Sequence, residues 1–214
     1  MNLLAIDSSA KILSIAVSNG DKIHYMETDA GMKHSALVMG CIDDLMKEAK
    51  LKPNDLNGVL CMGGPGSFTG LRIGYSICKG LALSLSIPFA PVSALECISY
   101  NHEGNVLSVI ESRKNAWYCA FFKDGIRQTP DMELGTEEII KQIGEEITIK
   151  GYGAFSFYNS LPADLREKII LKNENMGYAK EIIYIAKKSN IFNNDNSVFL
   201  YSGPDYIRDA QTGN

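Results

Sequence analysis

Histidine is scarce in this chain, with three in 214 residues, and tryptophan occurs once. His24, His34 and His102 show no His-x-x-x-His or other metal-ligand spacing, so no metal site is read from them. The five cysteines, Cys41, Cys61, Cys78, Cys97 and Cys119, include no Cys-x-x-Cys pair and lie in apolar contexts. They are expected as core thiols of a cytoplasmic protein. An excess of basic charge is missing too. The net charge is −4, which argues against a stand-alone nucleic-acid binder. No apolar run reaches roughly 18 residues without a charge, so no membrane span is expected. The opening Met1-Asn2-Leu3-Leu4-Ala5-Ile6-Asp7 has no basic region and meets an acid early, so no signal peptide is expected. No Ser–His–Asp set or nucleophile elbow can be assembled. Asp43/Asp44 and Glu145/Glu146 are adjacent pairs that point apart and read as solvated faces.

Glycine, by contrast, is concentrated. The run Gly63-Gly64-Pro65-Gly66-Ser67-Phe68-Thr69-Gly70-Leu71-Arg72-Ile73-Gly74 follows an apolar strand-like stretch, Val59 to Met62, and leads into a segment, Leu71 to Ile87, with two charges. Strand, glycine turn and helix together aim backbone N–H groups at an anion. No Gly-Lys-Ser/Thr ends the run and it is not Gly-x-Gly-x-x-Gly, so neither standard nucleotide motif applies. Ser67 or Thr69 can cap the helix. Gly70, Gly74 and Cys78 recur at four-residue spacing and make one flat ridge, which allows close approach of another backbone. Leu71, Ile73, Tyr75, Ile77, Leu81, Leu83 and Leu85 cover the other faces, as in a helix buried on all sides or shared with a partner. Arg72 and Lys79 share a face. At the start of the chain, Asp7-Ser8-Ser9 closes an apolar strand. The acid can hold Mg²⁺ through water with the serines lining a phosphate turn, or the three can form a turn bonding nearby N–H groups.

Two stretches 104 residues apart match in pattern. Leu3 to Ser9 corresponds to Leu107 to Arg113, Ile12 to Ser18 to Ala116 to Phe122, and the turn Asn19-Gly20 to Asp124-Gly125. The repeat implies two copies of one α/β unit, with boundaries at 1–103 and 104–214, each a β-meander followed by strand–helix alternation. That is the plan of the actin-like ATPase (ASKHA) fold, two duplicated ribonuclease-H-like lobes with mixed sheets flanked by helices. The apolar stripe Leu37, Val38, Cys41, Ile42, Leu45, Met46 and Ala49 predicts a helix over His34–Lys50. Ser93-Ala94-Leu95-Glu96 reads as a capping box opening a helix to Tyr100. Helices are also expected over Thr136–Gly144 and Gly177–Ser189, with a strand at Ile147–Lys150.

These residues resemble the TsaB (YeaZ) family of bacterial partner subunits in threonylcarbamoyladenosine tRNA modification. Leu4-Ala5-Ile6-Asp7-Ser8-Ser9 is similar to the family's opening, His34-Ser35 to the start of its first helix, and Gly64 to Gly74 to its most specific signature. Lys79 to Ala82 and Val92 to Glu96 continue the match. Ile110 to Arg113, Gly151 to Ala154 and Pro204-Asp205-Tyr206-Ile207-Arg208 extend it more weakly. The resemblance implies a non-catalytic scaffold or activator working with TsaD and TsaE, which transfer threonylcarbamoyl to adenosine 37 of tRNAs reading codons that begin with A. It implies pairing with TsaD, or with a second copy, through the first-lobe helices, at His34, Leu37, Cys41, Gly70, Ile73, Gly74, Ile77, Cys78 and Leu81. It places Asp7, Ser8, Ser9, Gly64, Gly66, Ser67 and Arg72 as nucleotide-facing. No cofactor or metal is required by the chain itself, ATP or ADP is allowed at the interface of the complex, and tRNA is met only through that complex. The family's metal-binding His-x-x-x-His belongs to TsaD and is missing here. Against this stands an enzyme acting alone, an actin-like phosphotransferase using Asp7 and the glycine turn, or a peptidase.

Overall fold

Three apolar runs separated by polar turns fill the first thirty residues, and each becomes a strand. In the computed structural model, which describes residues 1–172, 176–192 and 202–204, β1 (Leu3–Asp7), β2 (Ile12–Asn19) and β3 (Lys22–Asp29) form an antiparallel meander. The β2–β3 turn is Gly20–Asp21, one residue beyond the expected Asn-Gly, because Asn19 pairs with Lys22. After α1 (His34–Glu48), β4 (Gly58–Gly64) returns beside β1 in the parallel sense. Then α2 (Phe68–Leu85), β5 (Phe89–Ser93) and α3 (Ala94–Ser99) follow, and the sheet order is β3-β2-β1-β4-β5. Leu4, Ile6, Leu13, Ile15, Val17, Val59 and Cys61 face α1 and α2 and form one core with Val38, Leu45, Met46, Tyr75 and Cys78. Tyr75 meets Phe89 edge-on at 5.4 Å. The Ser93 hydroxyl accepts from the Glu96 N–H, as the capping pattern predicts.

The second half repeats the scheme. β6 (Asn105–Arg113), β7 (Ala116–Lys123), β8 (Ile126–Arg127), β10 (Ile147–Lys150) and β11 (Ile169–Lys172) lie in the order β11-β10-β6-β7-β8, with β9 (Met132–Gly135) also pairing β7. Put β6, β7, β8, β10 and β11 for β1, β2, β3, β4 and β5, and the order and every strand sense coincide. The chain is therefore two copies of one ribonuclease-H-like unit, the duplicated plan of the actin-like fold. Its second core joins Leu107, Val109, Trp117, Cys119, Ile149 and Ile169 to α4 (Thr136–Ile140) through Ile139 and to α5 (Ala154–Ser160) through Phe157. Beyond Ile140 the expected helix tightens into turns, Gln142 N–H to Ile139 and Ile143 N–H to Ile140. A short α6 (Ala163–Arg166) precedes β11.

The pleat corrects the register of the repeat. Leu4 and Ile6 face the first core, and Leu107 and Val109 face the second. Leu4 pairs with Val17, and Leu107 with Phe121. The offset is thus 103 on the first strand and 104 on the second. A one-residue shift exchanges the faces of a strand, so the counterpart of Asp7 is Ile110. The exposed Glu111, which a uniform shift of 104 sets against Asp7, does not occupy that place.

The last described helix, α7 (Ala179–Ser189), differs from the expected grouping of 104–214. Contacts divide the described residues into 1–97 with 176–192 and 202–204, and 98–172. Ala179, Ile182, Ile183 and Ala186 bury the apolar face of α7, which packs on β1, β2 and β4. Residues 205–208 of the expected surface tail lie outside the described residues. Among the described residues no helix is long and apolar enough to cross a membrane.

All five cysteines are free thiols, and all but Cys41 are buried. Burial pushes the Cys61 and Cys97 thiols well up, and the Cys119 thiol to about 12. A thiol held protonated in the fold but ionising near pH 9 in the unfolded chain contributes stability below that pH and loses it as pH rises. Urea midpoints should therefore fall between pH 8 and pH 10. Cys119→Ala should recover about 1.4 kcal/mol of the pH 10 loss; identical pH slopes for the two chains would refute this.

Candidate functional site

α2 begins where the glycine run ends. Ser67 caps it, its hydroxyl accepting from the Gly70 N–H at 3.3 Å. The ridge Gly70–Gly74–Cys78, expected to meet a partner, faces inward. The Ser8 hydroxyl donates to the Gly70 carbonyl at 2.9 Å, and the Cys78 thiol to the Leu60 carbonyl at 3.2 Å. A Cβ on Gly70 would overlap the Ser8 carbonyl, and one on Gly74 would sit 3.0 Å from the Ser8 hydroxyl. The ridge is flat so that α2 can lie against β1 and β4.

The outer side of α1 and α2 has a different composition. Ser35 and Met39 from α1, with Phe68, Thr69, Arg72, Ile73, Ser76 and Ile77 from α2, line an open groove of about 480 Å³. Met39 is 52% exposed and Phe68 48%, and the Arg72 guanidinium lies 3.8 Å above the Phe68 ring. Of the residues expected to meet a partner, Ile73 and Ile77 line this groove, and Leu37 is at the edge of exposure. Cys41 and Leu81 are partly buried against the core. His34 is buried and its Nε2 carries no hydrogen bond. Met39 and Phe68 were not among the expected residues. Their signal is an apolar side chain standing off the core stripe of its own helix.

The nucleotide-facing set is drawn inside instead. Asp7 is 0% exposed. Its Oδ1 accepts from the Ser9 N–H at 3.0 Å and the Ser9 hydroxyl at 2.6 Å, and its Oδ2 from the Tyr178 N–H at 3.0 Å. Asp7 and Ser9 thus form the local turn, the side chain of Asp7 bonding a nearby N–H group. Ser8, Ser9 and Gly64 are buried, Gly66 packs on Ser9, and Ser67 serves as the helix cap. Only Ser67 and Arg72 of the set reach the surface fully. Lys79 donates to the Ser202 carbonyl. Among the described residues no group of three His, Cys, Asp or Glu side chains is placed to hold a metal ion.

Comparison with known proteins follows the same lines. The family model described as TsaD, tRNA N6-adenosine threonylcarbamoyltransferase, matches residues 11–194. The tRNA threonylcarbamoyladenosine biosynthesis protein TsaB of Bacillus subtilis is 31% identical over 155 residues, 68% of this chain and 67% of that protein. The chain belongs to the TsaB (YeaZ) family. Escherichia coli TsaB is 30% identical over 128 residues, 58% of this chain and 55% of its own length. The match thus spans from about half to two thirds of these family members. A solved Pseudomonas aeruginosa protein described as similar to peptidase YEAZ superposes with a TM-score of 0.78 at 20% identity, covering 97% of this chain and 99% of that one. YeaZ from Pseudomonas aeruginosa gives 0.72 at 21%, covering 90% and 93%. These two likenesses establish the fold.

Proposed function

We propose that this chain acts in tRNA threonylcarbamoyladenosine biosynthesis as a non-catalytic docking subunit, pairing with a TsaD-type transferase through the outer face of α1 and α2. The observation that carries this reading is the exposed apolar groove between those helices in a chain of this family. Met39, Phe68, Ile73 and Ile77 supply apolar area, and Arg72 and the hydroxyls of Ser35, Thr69 and Ser76 supply a polar rim. An apolar centre within such a rim suits a protein partner. The family model matching this chain is that of the transferase itself, so subunit and partner share one architecture. The docking subunit acts by binding the active conformation of the transferase better than the inactive one. TsaE and tRNA join through the assembled complex.

A phosphotransferase built on Asp7 is disfavoured because both carboxylate oxygens are engaged within the fold. The test is reconstitution. The purified chain with tRNA and threonylcarbamoyl-adenylate should give no modified adenosine, and adding TsaD and TsaE should restore modification, with TsaD co-eluting with this chain. Modification by the chain alone, or failure of TsaD to co-elute, would overturn the proposal.

A further inference from the structure

Asp7, Ser14 and Glu27 stand in one row across the first meander. Asp7 pairs with Ser14 between β1 and β2, and Ser14 pairs with Glu27 between β2 and β3. Directly paired residues point to the same face. Three strands thus present three oxygen acceptors side by side. Three successive amides at the start of α7 meet them. The Gly177 N–H donates to Glu27 at 3.1 Å, the Tyr178 N–H to Asp7 at 3.0 Å, and the Ala179 N–H to the Ser14 hydroxyl at 3.1 Å. Tyr178, the residue that caps α7, and Ala179, its first residue, carry amides that a helix leaves without internal partners, and Gly177 stands just before them. Two of the three acceptors are carboxylates set against the positive end of the helix dipole. Gly177 fits because it has no side chain, since a Cβ there would overlap Ser14. Tyr25 completes the row, its hydroxyl donating to Glu27 at 2.5 Å. Burial and the Glu27 carboxylate push that phenol well above its usual range, so it stays a donor.

The second unit lacks such a row. The positions equivalent to Asp7 and Ser14 are Ile110 and Tyr118, which pair with each other; β8 does not reach Tyr118, whose other neighbour is Glu133 of β9. Glu133 accepts from Ser112 within its own unit. The acceptor row is therefore specific to the first unit, and α7 packs there although it follows the second unit in sequence.

We propose that α7 is a strap whose N-terminus takes the place of a metal ion at the strand-end acid. The Asp7–Ser14–Glu27 row recognises the three successive amides at the start of α7, and Asp7 takes up no divalent cation while the strap is docked. This rests on the row alone and stands or falls separately from the docking surface on α1 and α2. The experiment uses the full chain and three observables: amide hydrogen exchange at residues 177–179, Mn²⁺ binding by paramagnetic resonance, and Mn²⁺–ATP binding by calorimetry. In the parent chain these amides should exchange as slowly as those of β1, with neither Mn²⁺ nor Mn²⁺–ATP bound. Asp7→Asn keeps the shape but turns one acceptor into a donor, and should speed exchange at Tyr178 about tenfold or more while β1 stays protected. Glu27→Gln, at an exposed position on the edge strand, should do the same at Gly177 should Asp7→Asn fail to fold. Unchanged protection in the folded variants would overturn the strap. So would Mn²⁺ binding by the parent chain that Asp7→Asn removes while the α7 amides remain protected.

Discussion

Gly70→Ala should unfold the first unit under conditions in which the parent chain is stable, at a loss of about 3 kcal/mol or more. The added Cβ would overlap the backbone carbonyl of Ser8, and no side-chain rotation can remove a carbonyl. Relief requires lifting α2 from β1, which would break the Ser8 hydroxyl bond to the Gly70 carbonyl and the Ser67 cap. The same change at Gly80 is the internal control. Gly80 lies on α2, is exposed, and a Cβ there meets nothing within 4 Å. Alanine should stabilise the helix there by about 0.5–1 kcal/mol, because glycine loses more chain freedom on folding. One substitution, on one helix, is thus expected to have opposite signs ten residues apart. Urea midpoints by circular dichroism read both. Gly70→Ala within 0.5 kcal/mol of the parent would refute the close packing of α2 on β1.

The contrast explains what could be read ahead of the structure. The four-residue spacing of Gly70, Gly74 and Cys78 signals close approach, and close approach is what occurs. Spacing states which residues share a face, not which neighbour that face meets. The neighbour is the sheet, so the outer surface falls to Met39, Phe68, Ile73 and Ile77. The duplication was visible in strand and turn patterns because local polarity alternation marks strands. Its register was not, because similarity of residue type tolerates a slip of one that the pleat does not. The helix α7 was legible from its apolar periodicity, whereas its destination depends on Glu27, Ser14 and Asp7, which lie 150, 165 and 171 residues from their partners. Asp7 itself was found, with two readings open. The long-range bond from the Tyr178 N–H adds a partner that no local pattern encodes.

Met39→Asp should weaken capture of TsaD by about 30-fold or more, equivalent to about 2 kcal/mol, while leaving the stability of the chain within about 0.5 kcal/mol. Met39 is half exposed and outside the core cluster, so a carboxylate there remains solvated in the free subunit. In a closed interface it would lose water against Phe68, Ile73 and Ile77, the apolar lining it shares. Arg72 is the cation of the groove that such a carboxylate could meet, but it is already stacked on Phe68. Leu83→Asp separates a specific groove from general stickiness. Leu83 is 67% exposed on the same helix and does not line the groove, so its replacement should change affinity less than threefold. Surface-immobilised TsaD titrated with each variant gives both numbers. Equal losses for Met39→Asp and Leu83→Asp, or none for Met39→Asp, would move the docking site away from the α1–α2 groove. A selective loss at Met39, in a chain whose unfolding curve is unchanged, would tie the proposed TsaD docking to this face of the first unit.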